Sequence, residues 1–495
     1  MLCVCFTFVI TAKLYLTEHP PRGVNSFDIQ YDRRANTSIP TWNETEFRKL
    51  ASALATQLLP FGFDTITIDG GWSGDTIDGH GRPTPNVTMW PSAAGGKGFK
   101  PLADWTHSLG LKFGVWTLRG VLPAAVAAKL PVLGSNPPAT LDEIAQVCTS
   151  PHDRWCNCTW DKHGVGLDPT HPAAQAFYHS QVQLYASWGV DLIKWDCMYE
   201  NSNANLGMAS AYAGEAVLAL NAVEASERNI TLSWSPGGGM SVDSAAWLTN
   251  AKGHRQNAPA NVSSPPGVRG SMFRATGDFH SRPVSWVDGL GEHLFVLGNL
   301  SSLLGTHRAY ADSDILDLGP DSFFFGTPTA QLHAAMWMMA KSPLMYGGQL
   351  PISDPTTLNL VTNKLALLIN SHSSTDLDVV YQGDCSCRKK SGFACHPYNL
   401  PGAAPCVATW WSSLGKNCKA VAVLNVGVVA APSVVVSFQE IGFVDAGTGQ
   451  GKATATDVYA KKTREVDVQF NVAVPAMGGV LMIVAPTGTE PGACV

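Results

Sequence analysis

From about residue 20 to 370 the chain keeps returning to one arrangement: a short β-branched or aromatic run, then a longer stretch with helical spacing. The extended runs include Thr65-Ile66-Thr67-Ile68-Asp69, Lys112 to Trp116, Asp191 to Asp196, Thr231 to Ser235, Met272 to Thr276 and Leu344 to Tyr346. Asn43 and Glu46 form a capping-box pair, after which Phe47, Leu50, Ala51, Leu54 and Leu58 recur at helical spacing until Pro60 and Gly62. Phe177, Leu184 and Trp188 repeat the pattern before Gly189. Such alternation makes neighbouring strands parallel, joined by right-handed crossovers. About eight strands of this kind predict a (β/α)8 TIM barrel rather than an open sheet.

After about residue 372 the pattern changes. Ala420 to Asn425, Ser433 to Phe438, Val466 to Phe470 and Gly479 to Val484 read as strands with turn signals and no helices between them, hence a small antiparallel β domain. The expected division is a leader over 1–19, a catalytic barrel over 20–372 and a β domain over 373–495. Gly447 to Lys452 looks like a phosphate loop, but it lacks the first Gly at the required spacing and has Ala453 where Ser or Thr would stand. It reads as a hairpin turn.

Composition narrows the partners. Net charge is −6 and the longest basic run is the pair Lys389-Lys390, so neither nucleic acid nor an anionic membrane finds a footprint. With 45% hydrophobic and 15% charged residues the chain is not a disordered segment. The 12 cysteines lack the paired spacing plus His of a structural zinc site and read as disulfides formed in an oxidising compartment. Leu2 to Ala12 resembles a short secretory hydrophobic segment without a preceding basic residue, and is too short to span a bilayer. Seven sequons begin at Asn36, Asn43, Asn86, Asn157, Asn229, Asn261 and Asn299, all before residue 300. Together these features predict a glycoprotein that is secreted, or vacuolar or lysosomal by the secretory route.

In a parallel barrel, chemistry sits where strands end. Asp69 closes the second strand, Lys194 and Asp196 the fourth; Arg274 and Asp278 follow the sixth, and Asp312 and Asp314 lie near the seventh. Any one such Asp is more often a cap or turn residue. Acids at four strand ends, with Trp72, Trp116 and Trp195 nearby, suit a sugar, whose C–H face stacks on an aromatic ring while its hydroxyls bond to acids and Lys. A glycosidase needs one ionised carboxylate and one that holds a proton. Asp196 shares a strand face with Lys194, which favours its ionised form and makes it the natural nucleophile. Asp278 lies in the Gly-containing loop Ala275-Thr276-Gly277-Asp278 and can serve as acid/base, although the residues alone allow the reverse assignment.

Trp188-Gly189-Val190-Asp191-Leu192-Ile193-Lys194-Trp195-Asp196-Cys197 resembles the fourth-strand motif of the family 27 glycoside hydrolases, the α-galactosidase or melibiase family. The similarity covers nearly the whole chain, through Pro20 to Ser26, Ile68 to Trp72, Gly110 to Trp116, Arg274 to Asp278, Asp312 to Leu316 and Trp337 to Met345. It implies a retaining double displacement with Asp196 as nucleophile and Asp278 as acid/base. It places Lys194 on the sugar's 3,4 side, Asp69 on the 4,6 side, Arg274 near the 2-hydroxyl and Asp314 at the rim. It also implies a C-terminal β-sandwich, no metal or organic cofactor, and a disulfide from Cys197 to Cys158 or, less favoured, Cys156. The cysteines from Cys385 to Cys418 are expected to staple the β domain.

Three departures bear on substrate. Asp69 is followed by Gly70 where typical members carry a second acid, Ser233-Trp234-Ser235-Pro236-Gly237 replaces a Cys-Glu-Trp motif, and Val24 stands in place of the first-strand Trp. Ser235-Pro236-Gly237, Arg119-Gly120 and Gly95 to Phe99 resemble a plant-type branch, some members of which cleave β-L-arabinopyranosides. The reading is therefore an exo-glycosidase for terminal α-D-galactosyl groups. The alternatives are a β-L-arabinopyranosidase or dual enzyme and, from another class, a galactose-binding protein without catalysis. An α-N-acetylgalactosamine preference is disfavoured, since only the small Ser235 hints at room for the acetamido group.

Overall fold

The structure is a computed structural model. It describes residues 19–30, 41–146, 158, 164–198, 209–235, 272–279, 286–301, 304, 310–322, 324–372, 377–383, 405–443 and 451–495. The expected leader and the Gly447 turn fall largely outside these residues.

Eight parallel strands run in sequence order: β1 (Arg22–Asn25), β2 (Thr65–Ile68), β3 (Lys112–Leu118), β4 (Leu192–Asp196), β5 (Thr231–Ser235), β6 (Met272–Arg274), β7 (Tyr310–Asp312) and β8 (Leu344–Tyr346). Strand β8 pairs with β1, and the ring is drawn shut at its other edge by a parallel bridge from Leu316, just past β7, to Tyr346. Leu316 donates to the Met345 carbonyl at 2.8 Å and accepts from the Gly347 amide at 3.2 Å. Because strand side chains alternate, Ile66, Phe113, Val115, Ile193, Trp195 and Phe273 face outward and are buried under the helices. Each such burial contributes about 1.5–3 kcal/mol. The inward residues begin with an apolar plug of Leu192, Met272 and Met345. Above it the lining turns polar, around a cavity of about 20 Å³ touched by Asn25, Thr67, Lys194, Ser233, Asp312 and Asp314.

The helix Glu44–Gln57 begins where Asn43 accepts from the amides of Thr45 and Glu46 at 2.9 and 3.2 Å. After a 3-10 turn over Leu59–Phe61, Gly62 reverses the chain at φ 85°.

The C-terminal region is a β-sandwich. Strands β9 (Asp378–Gly383), β10 (Cys406–Gly415), β11 (Cys418–Asn425), β13 (Ala453–Asp457), β14 (Lys462–Val466) and β16 (Gly478–Pro486) form one sheet; β12 (Ala431–Ser437) and β15 (Gln469–Val474) form the other. The expected single strand over Val466 to Phe470 is instead a reversal. Strand β14 ends at Val466 and β15 begins at Gln469 in the opposite sheet, with the turn residue Val468 61% exposed. The larger sheet is covered on both faces, by β12 and β15 on one side and on the other by the helix Pro328–Met339. That helix is apolar on nearly every side because the barrel takes one of its faces and the sandwich the other. Approach is close: a Cβ on Gly479 would lie 2.8 Å from the Leu332 Cα. Asn363 adds a hydrogen bond from its Nδ2 to the Val458 carbonyl at 2.9 Å.

Candidate active site

The ends of β2 to β7 bring the expected polar residues to one mouth of the barrel. Register sets Trp116 beside Lys194, Asp196 beside Ser235 and Arg274 beside Asp312. Asp69 is buried just beyond β2; its Oδ2 accepts from Lys194 Nζ at 2.8 Å and Asn25 Nδ2 at 2.9 Å, and its Oδ1 from the Gly70 amide at 2.8 Å. Burial pulls the Lys194 ammonium down, but Asp69, then Asp196 and Asp314, outweigh it and hold the group above its usual range. Phe27, half-buried just past β1, sets its ring 5.8 Å from Lys194 Nζ.

Asp196 ends β4 with both carboxylate oxygens engaged by neutral donors. Oδ2 accepts from Trp116 Nε1 and Oδ1 from the Cys197 amide, each at 3.0 Å. Its carbonyl accepts from the Arg119 amide at 3.0 Å. Cys197 sits at φ 60°, a left-handed conformation costly for a non-glycine residue, and is bonded to Cys158 with a Cα separation of 5.9 Å. Cys156, the less favoured partner, lies outside the described residues. Arg119 and Glu215, both fully buried, pair through Nε and Nη2 at 3.0 Å and brace this strand end from behind.

Across the mouth, Arg274 carries a second cluster. Its Nη1 meets Asp314 Oδ1 at 3.0 Å, and its Nη2 donates to Asp278 Oδ1 at 3.1 Å and the Gly277 carbonyl at 2.8 Å. The Asp278 side chain is 77% exposed, whereas that of Arg274 is 5% exposed. Burial lowers the Arg274 guanidinium, but Asp314, Asp278, Asp312 and Asp196 raise it further than burial lowers it, which makes the two clusters one electrostatic unit. Asp314, at φ 75°, accepts from the Phe279 amide at 2.7 Å, and its carbonyl accepts from Trp337 Nε1 at 2.9 Å. Burial, opposed by Arg274, pushes the Asp314 carboxyl up to about 6.

Two of the three expected aromatic platforms lie elsewhere. Trp195 is fully buried because it alternates with Lys194 and Asp196 and so points out of the barrel, against Tyr178 and Trp234. Trp72 is 3% exposed and walled in by Phe99, Tyr185 and Trp188. Trp116 alone keeps a half-buried indole at the mouth. Asn25, Phe27 and the Arg119–Glu215 pair were not singled out as site residues from sequence. Asn25 was findable, since alternation from the end of β1 aims it inward.

Elsewhere, Cys418 bonds Cys494, so a member of the Cys385 to Cys418 group staples the β domain and ties the C-terminus back to β11. Of the sequons, Asn229 and Asn299 are exposed, Asn43 caps a helix and Asn86 accepts from the Thr88 amide; Asn36, Asn157 and Asn261 lie outside the described residues.

Comparison with known proteins agrees with this architecture. Residues 405–484 match the alpha galactosidase C-terminal beta sandwich domain. An alpha-galactosidase of Cyamopsis tetragonoloba is 24% identical over 81% of this chain and 79% of its own length. A GH27 β-L-arabinopyranosidase from Geobacillus stearothermophilus superposes with a TM-score of 0.75 at 27% identity, covering 96% of this chain and 98% of that one. Alpha-galactosidase I from Mortierella vinacea shares the fold, with a TM-score of 0.64 at 17% identity over 97% and 100% of the two chains. With the barrel, the sandwich and both carboxylate clusters in place, the chain is similar over nearly its whole length to the family 27 glycoside hydrolases.

Proposed function

We propose that the protein is a retaining exo-glycosidase that removes terminal α-D-galactosyl groups. The observation that carries this reading is the pairing, at one barrel mouth, of Asp196, oriented by two neutral donors, with the exposed carboxyl of Asp278 held by Arg274. In the first step an Asp196 oxygen bonds to the anomeric carbon as the bond to the aglycone oxygen breaks, and Asp278 gives that oxygen its proton. In the second, water adds to the anomeric carbon and yields a proton to Asp278, while the ester electron pair returns to Asp196. Lys194, Asp69, Arg274, Asp314 and Ser235 bind the sugar's hydroxyls, and Trp116 offers its C–H face a ring. Replacing Asp196→Asn is expected to abolish nitrophenol release from the nitrophenyl α-galactoside while the melting curve is kept. Retained turnover would sink the assignment.

A second reading is favoured by Gly70, which leaves the usual acid serving O6 absent, and by the likeness to the arabinopyranosidase. β-L-Arabinopyranose has the ring stereochemistry of α-D-galactose without the exocyclic CH2OH. One missing charged hydrogen bond is worth about 1.5–3 kcal/mol, so kcat/KM on the two nitrophenyl glycosides should differ by about tenfold or more in favour of the true substrate. Galactose binding by calorimetry with no turnover of either would instead indicate a binding protein. Export through the secretory pathway is part of the proposal, supported by the Cys158–Cys197 and Cys418–Cys494 bonds and the exposed sequons at Asn229 and Asn299.

A further inference from the structure

Beyond the two carboxylates, the residue on which the mouth converges is Trp116. Its backbone lies in β3 beside Lys194, and its carbonyl accepts from Trp72 Nε1 at 2.7 Å. The indole lies against Gly70, where an added Cβ would stand 3.5–3.6 Å from three ring atoms. From this seat Nε1 donates to Asp196 Oδ2 at 3.0 Å, while Oδ1 is held by the amide of the disulfide-anchored Cys197. The donor is thus fixed before substrate arrives. We propose that Trp116 is a catalytic residue of the retaining reaction: its indole N–H receives the negative charge that returns to Asp196 when the glycosyl ester is hydrolysed. The inference rests on the retaining reading above.

The chemistry makes the effect one-sided. Before the first step Asp196 carries a full charge and the N–H bonds it strongly; in the transition state that charge is partly spent, so the donor gives no net acceleration. In the ester the carboxylate charge is gone. As water adds to the anomeric carbon, passing its proton to Asp278, the C–O electron pair flows back to Asp196 and the N–H bond strengthens towards the transition state. Trp116 therefore speeds hydrolysis of the intermediate and does not speed its formation. Gly70 belongs to the same device: a Cβ there would already stand in van der Waals contact with the ring, so a branched side chain would press on the indole.

The test is Trp116→Phe, which keeps an aromatic face and removes the N–H. It is assayed on whichever nitrophenyl glycoside, α-galactoside or β-L-arabinopyranoside, the unaltered enzyme turns over. Loss of a hydrogen bond to a charged group should lower kcat about 10- to 100-fold. KM should fall at least in parallel, kcat/KM should not fall by more than about threefold, and a burst of nitrophenol should accompany a glycosyl ester on Asp196 in quenched samples. Should Trp116→Phe fail to fold, Gly70→Val, which keeps the indole but shifts it off Asp196, must give the same signature. A fall in kcat/KM as large as that in kcat, with KM unchanged or raised and no burst, would show the ring to be only a platform and overturn the proposal. So would an unchanged kcat. If the unaltered enzyme turned over neither glycoside, the retaining reading itself would fall, and the role of Trp116 with it.

Discussion

Lys194 holds together the half of the site that faces Asp196. Its ammonium is the one cation within reach of the buried Asp69 carboxylate among the described contacts, and both side chains are largely shielded, at 12% and 3% exposed. Removing one member of such a pair leaves the other charge unpaired, which costs about 3–5 kcal/mol, whereas removing both is much milder. Lys194→Met should therefore lower the melting temperature and eliminate turnover; adding Asp69→Asn should restore most of the melting temperature and none of the turnover. Melting curves and kcat/KM on one set of four proteins check both halves. At this scale much of the site was legible. Lys194 and Asp196 share a face by alternation, and the same parity would have excluded Trp195, the residue between them. Trp72 was misread for a different reason: it lies in a loop with no period to reveal its direction, and only the surrounding Phe99, Tyr185 and Trp188 show it to be core.

The helices behind the mouth set its tolerance of acid. His293, in the helix Trp286–Asn299, is fully buried, bonds the Gly289 carbonyl through Nδ1 at 2.5 Å and packs on Phe279 and Trp337, which in turn hold Asp314. Burial is the main cause that lowers its imidazole to about 3. A base depressed in the folded state contributes stability fully above its unfolded value near 6.5, and that contribution is lost as pH falls from there towards 3, at about 1.4 kcal/mol per pH unit. His293→Phe should thus be less stable near pH 7, having lost a hydrogen bond, and should lose less stability than the parent between pH 6.5 and 4. Urea unfolding across that range shows whether the curves converge. Asp314 works in the opposite sense: raised to about 6, it contributes stability at low pH that fades as pH rises through 6. None of this was visible in sequence, where His293 is one of 14 histidines with no neighbouring motif. The strands and capped helices could be read because their periods are local, whereas what packs behind a loop is not.

At the scale of the whole molecule, barrel and sandwich share an interior. Gly479 of β16 meets the Leu332 backbone so closely that a side chain there must push the two domains apart. Gly479→Val should cost about 1–3 kcal/mol and lower the melting temperature of barrel and sandwich together, with kcat/KM at low temperature nearly unchanged. A separate, earlier melting of the sandwich alone would contradict a shared core. The change from alternating strand and helix to strands alone marked the two regions in sequence. That the larger sheet is covered on both faces was legible only in the unbroken apolar run Ala420 to Leu424, which one-sided sheets do not show. The closing bridge at Leu316 and Tyr346 has its own consequence. It is a hasp on an otherwise laddered hoop, and Asp312 and Asp314 are mounted on the tongue of that hasp. Loosening of its two backbone bonds is expected to displace Asp312 and Asp314 before the laddered strands, so hydrogen exchange at the Leu316 and Gly347 amides should slow when a sugar analogue is bound.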